Sequence, residues 1–327
     1  MKAAIITAPG QSPIYANFPE PPATEGSNNL SRITVSASAL SPLSKSRSSG
    51  THYSASGVFP AVAGVDGVGR TATGQRVYFA MPESPYGALA EYTLVPARQC
   101  IEIPENLDDI AAAALANPGM SSWAALVERA HIQPGETVLI NGATGSAGRL
   151  AIRLAKYLGA GKVIATGRNP EELQQLSALG ADITIPFQLD AANPQGAQQY
   201  EEALFNEFSH GIDIVLDYLW GKSAQTLLIA VAKAVDDGHP VRFVQIGEAG
   251  GESSIQLPAA ALRSSSIQLM GSGLRSIPFA KLLASIHGVF AAAAPASLQV
   301  ETRTMPLASI AEAWLAPAKP RIVITIP

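Results

Sequence analysis

Cysteine is almost missing from this chain: Cys100 stands alone in 327 residues. A disulfide framework within the chain is excluded, and so is a structural zinc site, which needs several Cys or His ligands in one short lobe. The five histidines (His52, His131, His210, His239 and His287) are scattered without ligand spacing. Charge is also sparse, at 15% of residues, and its net value is −4. No basic stripe is left to meet nucleic-acid phosphates, so no nucleic-acid partner is expected. The apolar run before Pro9 is too short for a signal peptide. No stretch reads as the ~18 apolar residues that cross a bilayer. These absences predict a reducing, cytoplasmic setting. What remains is 47% hydrophobic residues in a chain long enough for two well-buried domains.

The most informative stretch present is 137–148, TVLINGATGSAG. A short apolar run ends in a glycine-rich turn, and a helix-forming run follows at once. That is the strand–turn–helix context a dinucleotide site requires. Read as G-x-G-x-x-G, its positions are Ala143, Gly145 and Gly148, with alanine in the first place. Gly145 would let backbone approach a pyrophosphate, Gly148 would let helix pack on strand, and Ser146 and Ala147 would offer N–H groups at the helix start. The acidic residue that grips an adenosine ribose belongs about 20 residues beyond. That count reaches Gly167-Arg168-Asn169, where a guanidinium replaces the carboxylate. A guanidinium there favours a 2′-phosphate, hence NADPH over NADH.

The texture of the chain changes near residue 119. Before it, short runs at 2–7, 32–37, 75–79 and 88–95 lie between Pro, Ser and Gly, predicting a β-rich domain. After it, apolar strands at 138–143, 163–166, 183–186, 212–218, 241–247 and 267–271 alternate with helical stretches that include 171–179 and 224–235. That alternation predicts a doubly wound parallel sheet with helices on both faces, an α/β domain of Rossmann type. Residues 188–199 read as a surface loop. The last fifty residues are too few for a domain of their own. Strands at 297–304 and 321–326 with a short helix at 307–315 are expected to return to the first domain. The resulting division is 1–118, 119–279 and 280–327.

The segments MKAAIITAPG, FPAVAGVDGVG, GQRVYFA, GALAEYTLVP, PGMSSWAAL, DIVLDYLWG, FVQIG, LMGSGLR and IAEAWLAPAKPRIVITIP occur in this order. Together they resemble the medium-chain dehydrogenase/reductase superfamily over essentially the whole chain, and within it the zinc-free quinone oxidoreductases. The resemblance implies a GroES-like catalytic domain interrupted by the NADPH-binding domain. Where zinc-dependent members carry a histidine, this chain has Val65, followed by Asp66. The stretch LSPLSKSRSSG lacks their early cysteine. The implied reaction is hydride delivery from NADPH to a quinone or an activated C=C bond of an enone, without metal. Reduction of another carbonyl substrate, and non-catalytic NADPH binding as in crystallin-like or adaptor relatives, stay open.

By resemblance, Ser41 and Ser121 face the nicotinamide, while Ile246, Gly247, Gly271, Ser272 and Gly273 flank it. Ser41 stands where relatives often have asparagine, and Arg47 lies near their basic loop residue. Tyr53 is the proton-donor candidate. Tyr218 and Lys222 spell the Y-x-x-x-K of short-chain dehydrogenases, but Gly221 interrupts the helix that pair needs. The family's sixth strand commonly pairs across a two-fold axis, so 267–271 implies a homodimer.

Overall fold

The computed structural model describes residues 1–23, 29–53, 55, 57–190 and 193–327. These residues form two compact units. One comprises Met1–Asn117, Val289–Ala293 and Gln299–Pro327; the other comprises Pro118–Gly288 and Ala294–Leu298.

The first unit begins with β1 (Lys2–Ile6), β2 (Ile14–Asn17), β3 (Leu30–Ala39), β4 (Ala61–Val62), β5 (Asp66–Thr71), β6 (Arg76–Ala80), β7 (Tyr92–Pro96) and β8 (Cys100–Glu102), with helix α1 (Pro42–Ser48) after β3. Strand β5 is not among the expected strands, because DGVGRT has few strand-favouring residues. Its glycines answer a packing constraint instead. A Cβ on Gly69 would lie 2.2 Å from the Thr34 carbonyl oxygen, and one on Gly67 would lie 2.8 Å from that of Ala37. Only glycine lets β5 run this close to β3. The expected strand 88–95 is realised as a ladder only from Tyr92, while Ala90 makes a single bridge to Ala3.

Helix α2 (Asp109–Trp123) continues through a wider π-type turn, Ala124–Arg129. Asp109–Arg129 is long and apolar enough, by length and composition alone, to cross a membrane, which corrects the sequence reading of no such stretch. Its most apolar window is 61% buried within the protein, as a core helix would be.

The second unit contains β9 (Thr137–Asn141), β10 (Lys162–Gly167), β11 (Ile183–Pro186), β12 (Ile214–Asp217), β13 (Pro240–Gln245) and β14 (Ser266–Gly271). All are parallel, in the order β11-β10-β9-β12-β13-β14. Between them lie α3 (Ser146–Tyr157), α4 (Pro170–Gln174), α5 (Pro194–Phe208), α6 (Gly221–Ala234) and α7 (Ala259–Arg263). The strand order reverses between β9 and β12, and that switch point is where such sheets bind ligands, at the carboxyl ends of the strands. Leu139, Ile164 and Phe243 of the sheet pack with Tyr200, Phe208 and Leu227 of the helices. Helix α5 starts inside the stretch expected as loop. The Asn193 side chain caps it by accepting from the Gly196 N–H at 3.0 Å. Residues 191 and 192 of that stretch lie outside the described ones.

Helix α8 (Phe279–Ala292) is absent from the sequence expectation, because Gly288 breaks its helical pattern. That glycine is required: a Cβ there would sit 2.4 Å from the Trp123 ring. The chain then adds β15 (Thr302–Pro306), helix α9 (Ile310–Leu315) and β16 (Arg321–Thr325) to the first unit. Strand β16 pairs antiparallel with β3, Val323 opposite Ala39. Among the described residues the larger sheet therefore has seven strands, β15-β16-β3-β5-β6-β8 with β7 also on β3, beside a smaller sheet β2-β1-β4. Ile33, Phe79, Leu89, Trp314 and Ile324 are among its core residues.

Candidate functional site

The turn after β9 has a different glycine plan from the one expected. Gly142, not Ala143, takes the left-handed conformation, at φ +86°. Its N–H and that of Ala143 donate to the Thr166 carbonyl at 3.1 and 3.0 Å, tying the turn to β10. The working pattern is G-x-x-G-x-x-G. Gly148 packs as expected, since a Cβ there would lie 2.6 Å from Ala143 Cα and from the Gly142 oxygen. Gly145 is different: the nearest atom to an added Cβ is 3.6 Å away. It is the N-cap of α3, and no side chain caps that helix end. The first N–H groups of α3, at Ser146, Ala147 and Gly148, are left without helical partners. An anion would complete them.

Beyond β10, Gly167 is buried under Thr144 and Leu173, and Arg168 is exposed. Arg168 has no ion-pair partner among the described residues. Nearby, Arg149 Nε donates to the Thr144 carbonyl at 3.1 Å and holds the glycine turn.

The carboxyl ends of β12, β13 and β14 form a second group. Asp217, fully buried, accepts from Asn141 Nδ2 at 2.8 Å and from the Leu219 and Trp220 N–H groups. Burial still raises its pKa against those bonds. They hold Trp220 at φ +60°, where a bulky residue is strained. Trp220 lines a pocket with Gln245, Met270 and Gly271. The Ile246 N–H donates to the Asp217 carbonyl at 2.8 Å, and a Cβ on Gly247 would meet the Tyr218 oxygen at 3.0 Å. The Ser272 N–H donates to the Gln245 carbonyl at 2.8 Å, and the Gly273 N–H to Ser276 Oγ at 2.7 Å.

Ser121 and Ser122 lie on α2, and both donate to the Pro118 carbonyl, at 2.9 and 3.0 Å. Ser122, which the sequence reading passes over, also stands 3.0 Å from the Ala147 oxygen and 2.8 Å from the Tyr218 hydroxyl. It links α2, the start of α3 and the end of β12. Tyr218 is buried in that contact, whereas Lys222 is exposed on α6, so the two side chains do not form an acid–base pair.

Ser41 and Tyr53 belong to the first unit. Ser41 is buried as the N-cap of α1, accepting from the Ser44 N–H at 3.0 Å, with the Ser44 hydroxyl also at 3.0 Å. Tyr53 is 54% exposed and stacks on His52 with ring centroids 4.1 Å apart. Val65 is buried beside Asp66, which accepts from the Tyr78 hydroxyl at 3.0 Å. Burial pushes the Asp66 carboxyl up to about 6, with Arg321 and the Tyr78 bond acting against it. Cys100 is half-buried, and burial raises its thiol to about 11, which makes it a poor nucleophile or ligand.

A six-stranded parallel nucleotide sheet and a β-rich unit completed by the last strands define the medium-chain dehydrogenase/reductase fold. The zinc-binding dehydrogenase family model matches residues 147–287. A "Probable NADPH-dependent quinone reductase" of Emericella nidulans is 29% identical over 354 residues, covering 96% of each chain. A mycocerosic acid synthase-like polyketide synthase of Mycobacterium tuberculosis is 32% identical over 180 residues, which are 55% of this chain and 8% of that one. The quinone oxidoreductase of Thermus thermophilus, solved also in complex with NADPH, superposes with a TM-score of 0.78 at 25% identity, over 99% of this chain and 100% of that one. The chain is thus similar, in sequence and in fold, to zinc-binding dehydrogenases and to NADPH-dependent quinone oxidoreductases.

Proposed function

We propose that this protein is an NADPH-dependent reductase that passes hydride to a quinone or to the activated C=C bond of an enone, without zinc. The observation that carries the reading is the uncapped start of α3 behind Gly142 and Gly145, with Arg168 where a ribose-binding carboxylate would stand. The fit to the cofactor is direct. The open side of Gly145 admits a pyrophosphate onto the Ser146 and Ala147 N–H groups. The free guanidinium of Arg168 meets a 2′-phosphate, and Ile246, Gly247 and Gly271–Gly273 flank the nicotinamide half. Bound NADPH supplies the hydride from C4 of its ring. The chain's own part is to orient reactants and exclude water, which needs few reactive side chains. Tyr53 gives its phenolic proton to the oxygen that gains charge, an enolate or a hydroquinone oxygen, and regains it from solvent.

The donor set does not suit a catalytic zinc. Val65 has no ligand atom, Asp66 is a lone buried carboxyl with one oxygen on Tyr78, and Cys100 sits on β8 as a protonated thiol. We further propose that β14 pairs with its copy in a homodimer. It is bonded to β13 on one side only, and Leu269 on it is 43% exposed. Stopped-flow oxidation of bound NADPH by a panel of quinones and enones tests the function. Turnover with members of either class is expected. Tight NADPH binding with no turnover by any acceptor would favour a non-catalytic binding protein.

A further inference from the structure

The start of α3 has no side-chain cap, yet a buried chain of hydroxyls reaches its first turn. Ser122, fully buried on α2, stands within hydrogen-bond distance of three groups. They are the Pro118 carbonyl at 3.0 Å, the Ala147 carbonyl at 3.0 Å and the Tyr218 hydroxyl at 2.8 Å. Carbonyl oxygens only accept, and each hydroxyl has a single proton to give. Were Ser122 to donate to Tyr218, no acceptor among the described residues would take the phenol's proton. Tyr218 therefore donates to Ser122, and Ser122 donates to a carbonyl. The Pro118 oxygen already receives the Ser121 hydroxyl at 2.9 Å, which leaves the Ser122 proton for Ala147. Burial raises the Tyr218 pKa, so the phenol keeps the proton that starts the chain.

The oxygen at the end of this chain belongs to the peptide unit whose N–H is that of Gly148. A peptide is planar and trans, so its C=O and N–H point in opposite directions. Fixing the Ala147 oxygen therefore fixes the direction of the Gly148 N–H, one of those at the start of α3 without a helical partner. Hydrogen bonds in series also polarise one another, by about 10–30% per bond. An amide whose carbonyl accepts such a bond is a better donor. The other ties on this turn lie elsewhere: the Thr166 carbonyl accepts from Gly142 and Ala143, and Arg149 Nε donates to the Thr144 carbonyl. We infer that Tyr218 and Ser122 are positioning residues for the cofactor's pyrophosphate, acting through the Ala147–Gly148 peptide. The inference rests on the reductase reading and adds to it two buried side chains that work through the backbone.

The test measures binding by calorimetry in the wild type, Tyr218→Phe, Ser122→Ala and the double variant. The ligands are NADPH, NADH and 2′-AMP, which keeps the 2′-phosphate and lacks the pyrophosphate. Each single variant binds NADPH and NADH about threefold or more weakly than the wild type, by the same factor for both. Its affinity for 2′-AMP matches the wild type. The double variant is no weaker than Ser122→Ala, because the two hydroxyls act in series. Unchanged NADPH affinity in both single variants overturns the inference, and so does an additive loss in the double variant. Equal weakening of 2′-AMP overturns it too, since that marks a general loosening of the second unit. Each substitution removes one oxygen. Should a variant fail to fold, the wild type supplies a second reading: the Gly148 amide proton resonance moves downfield when NADPH binds, and an unmoved resonance overturns the inference. If the wild type binds neither NADPH nor NADH, the reductase reading fails and the inference falls with it. If the wild type binds NADPH and the variants match it, the inference alone falls.

Discussion

Gly145 and Gly148, three residues apart, carry opposite expectations. Gly148→Ala drives a Cβ into the Gly142 and Ala143 backbone, so it costs about 1–3 kcal/mol of stability, read as a lowered denaturation midpoint. Gly145→Ala has room in the folded chain and an ordinary φ of −70°, so it leaves the midpoint nearly unchanged. It should weaken NADPH binding, because the methyl group occupies the pyrophosphate's approach. Loss of stability in Gly145→Ala, or unaltered NADPH affinity, would contradict that assignment. Arg168→Ala should cost up to about 1.5–3 kcal/mol in NADPH affinity and leave NADH nearly unaffected. Equal weakening of both cofactors in a titration would remove Arg168 from the 2′-phosphate site. Asp66 gives a pH dependence. Its carboxyl titrates near 6 in the folded chain against an ordinary 3.8. The raised value means its contribution to stability is complete below pH 3.8 and is lost as pH climbs through about 6, a change on the order of 3 kcal/mol. Asp66→Asn lacks that titration. The wild type should therefore lose stability relative to the variant between about pH 4 and pH 7, and a constant difference would contradict it.

At the scale of elements, the nucleotide sheet is readable in the sequence because its strands are buried on both faces and so appear as continuous apolar runs. The Arg168 position follows from simple counting along that pattern. The first unit is harder to read, because glycines hide its strands. Gly67 and Gly69 make β5 look like a turn, yet they are there for the close approach to β3. Gly288 hides α8 in the same way, through contact with Trp123. Ser122 leaves no signal, because its role depends on Tyr218, 96 residues away. Ala143 is misread because the pattern allows two registers, and only the φ of Gly142 separates them. The edge strand β14 carries its own prediction. Leu269→Lys places a charge on the exposed edge and should convert a dimer into a monomer by sedimentation at micromolar concentration. A wild-type monomer under those conditions would contradict the pairing.

For the whole molecule, the proposed reading assigns cofactor binding to the parallel sheet. Among the described residues no group of three or more His, Cys, Asp or Glu is placed to hold a metal ion. On the proposed reading, Val65, a buried Asp66 with one oxygen on Tyr78, and a protonated Cys100 leave hydride transfer to depend on positioning. The most direct measurement is NADPH oxidation by a neutral naphthoquinone, catalysed by protein that has been exhaustively treated with a metal chelator. Turnover at the rate of untreated protein is predicted, with no stoichiometric zinc found by elemental analysis. Loss of turnover on chelation and its return with one zinc per chain would contradict metal-free hydride transfer.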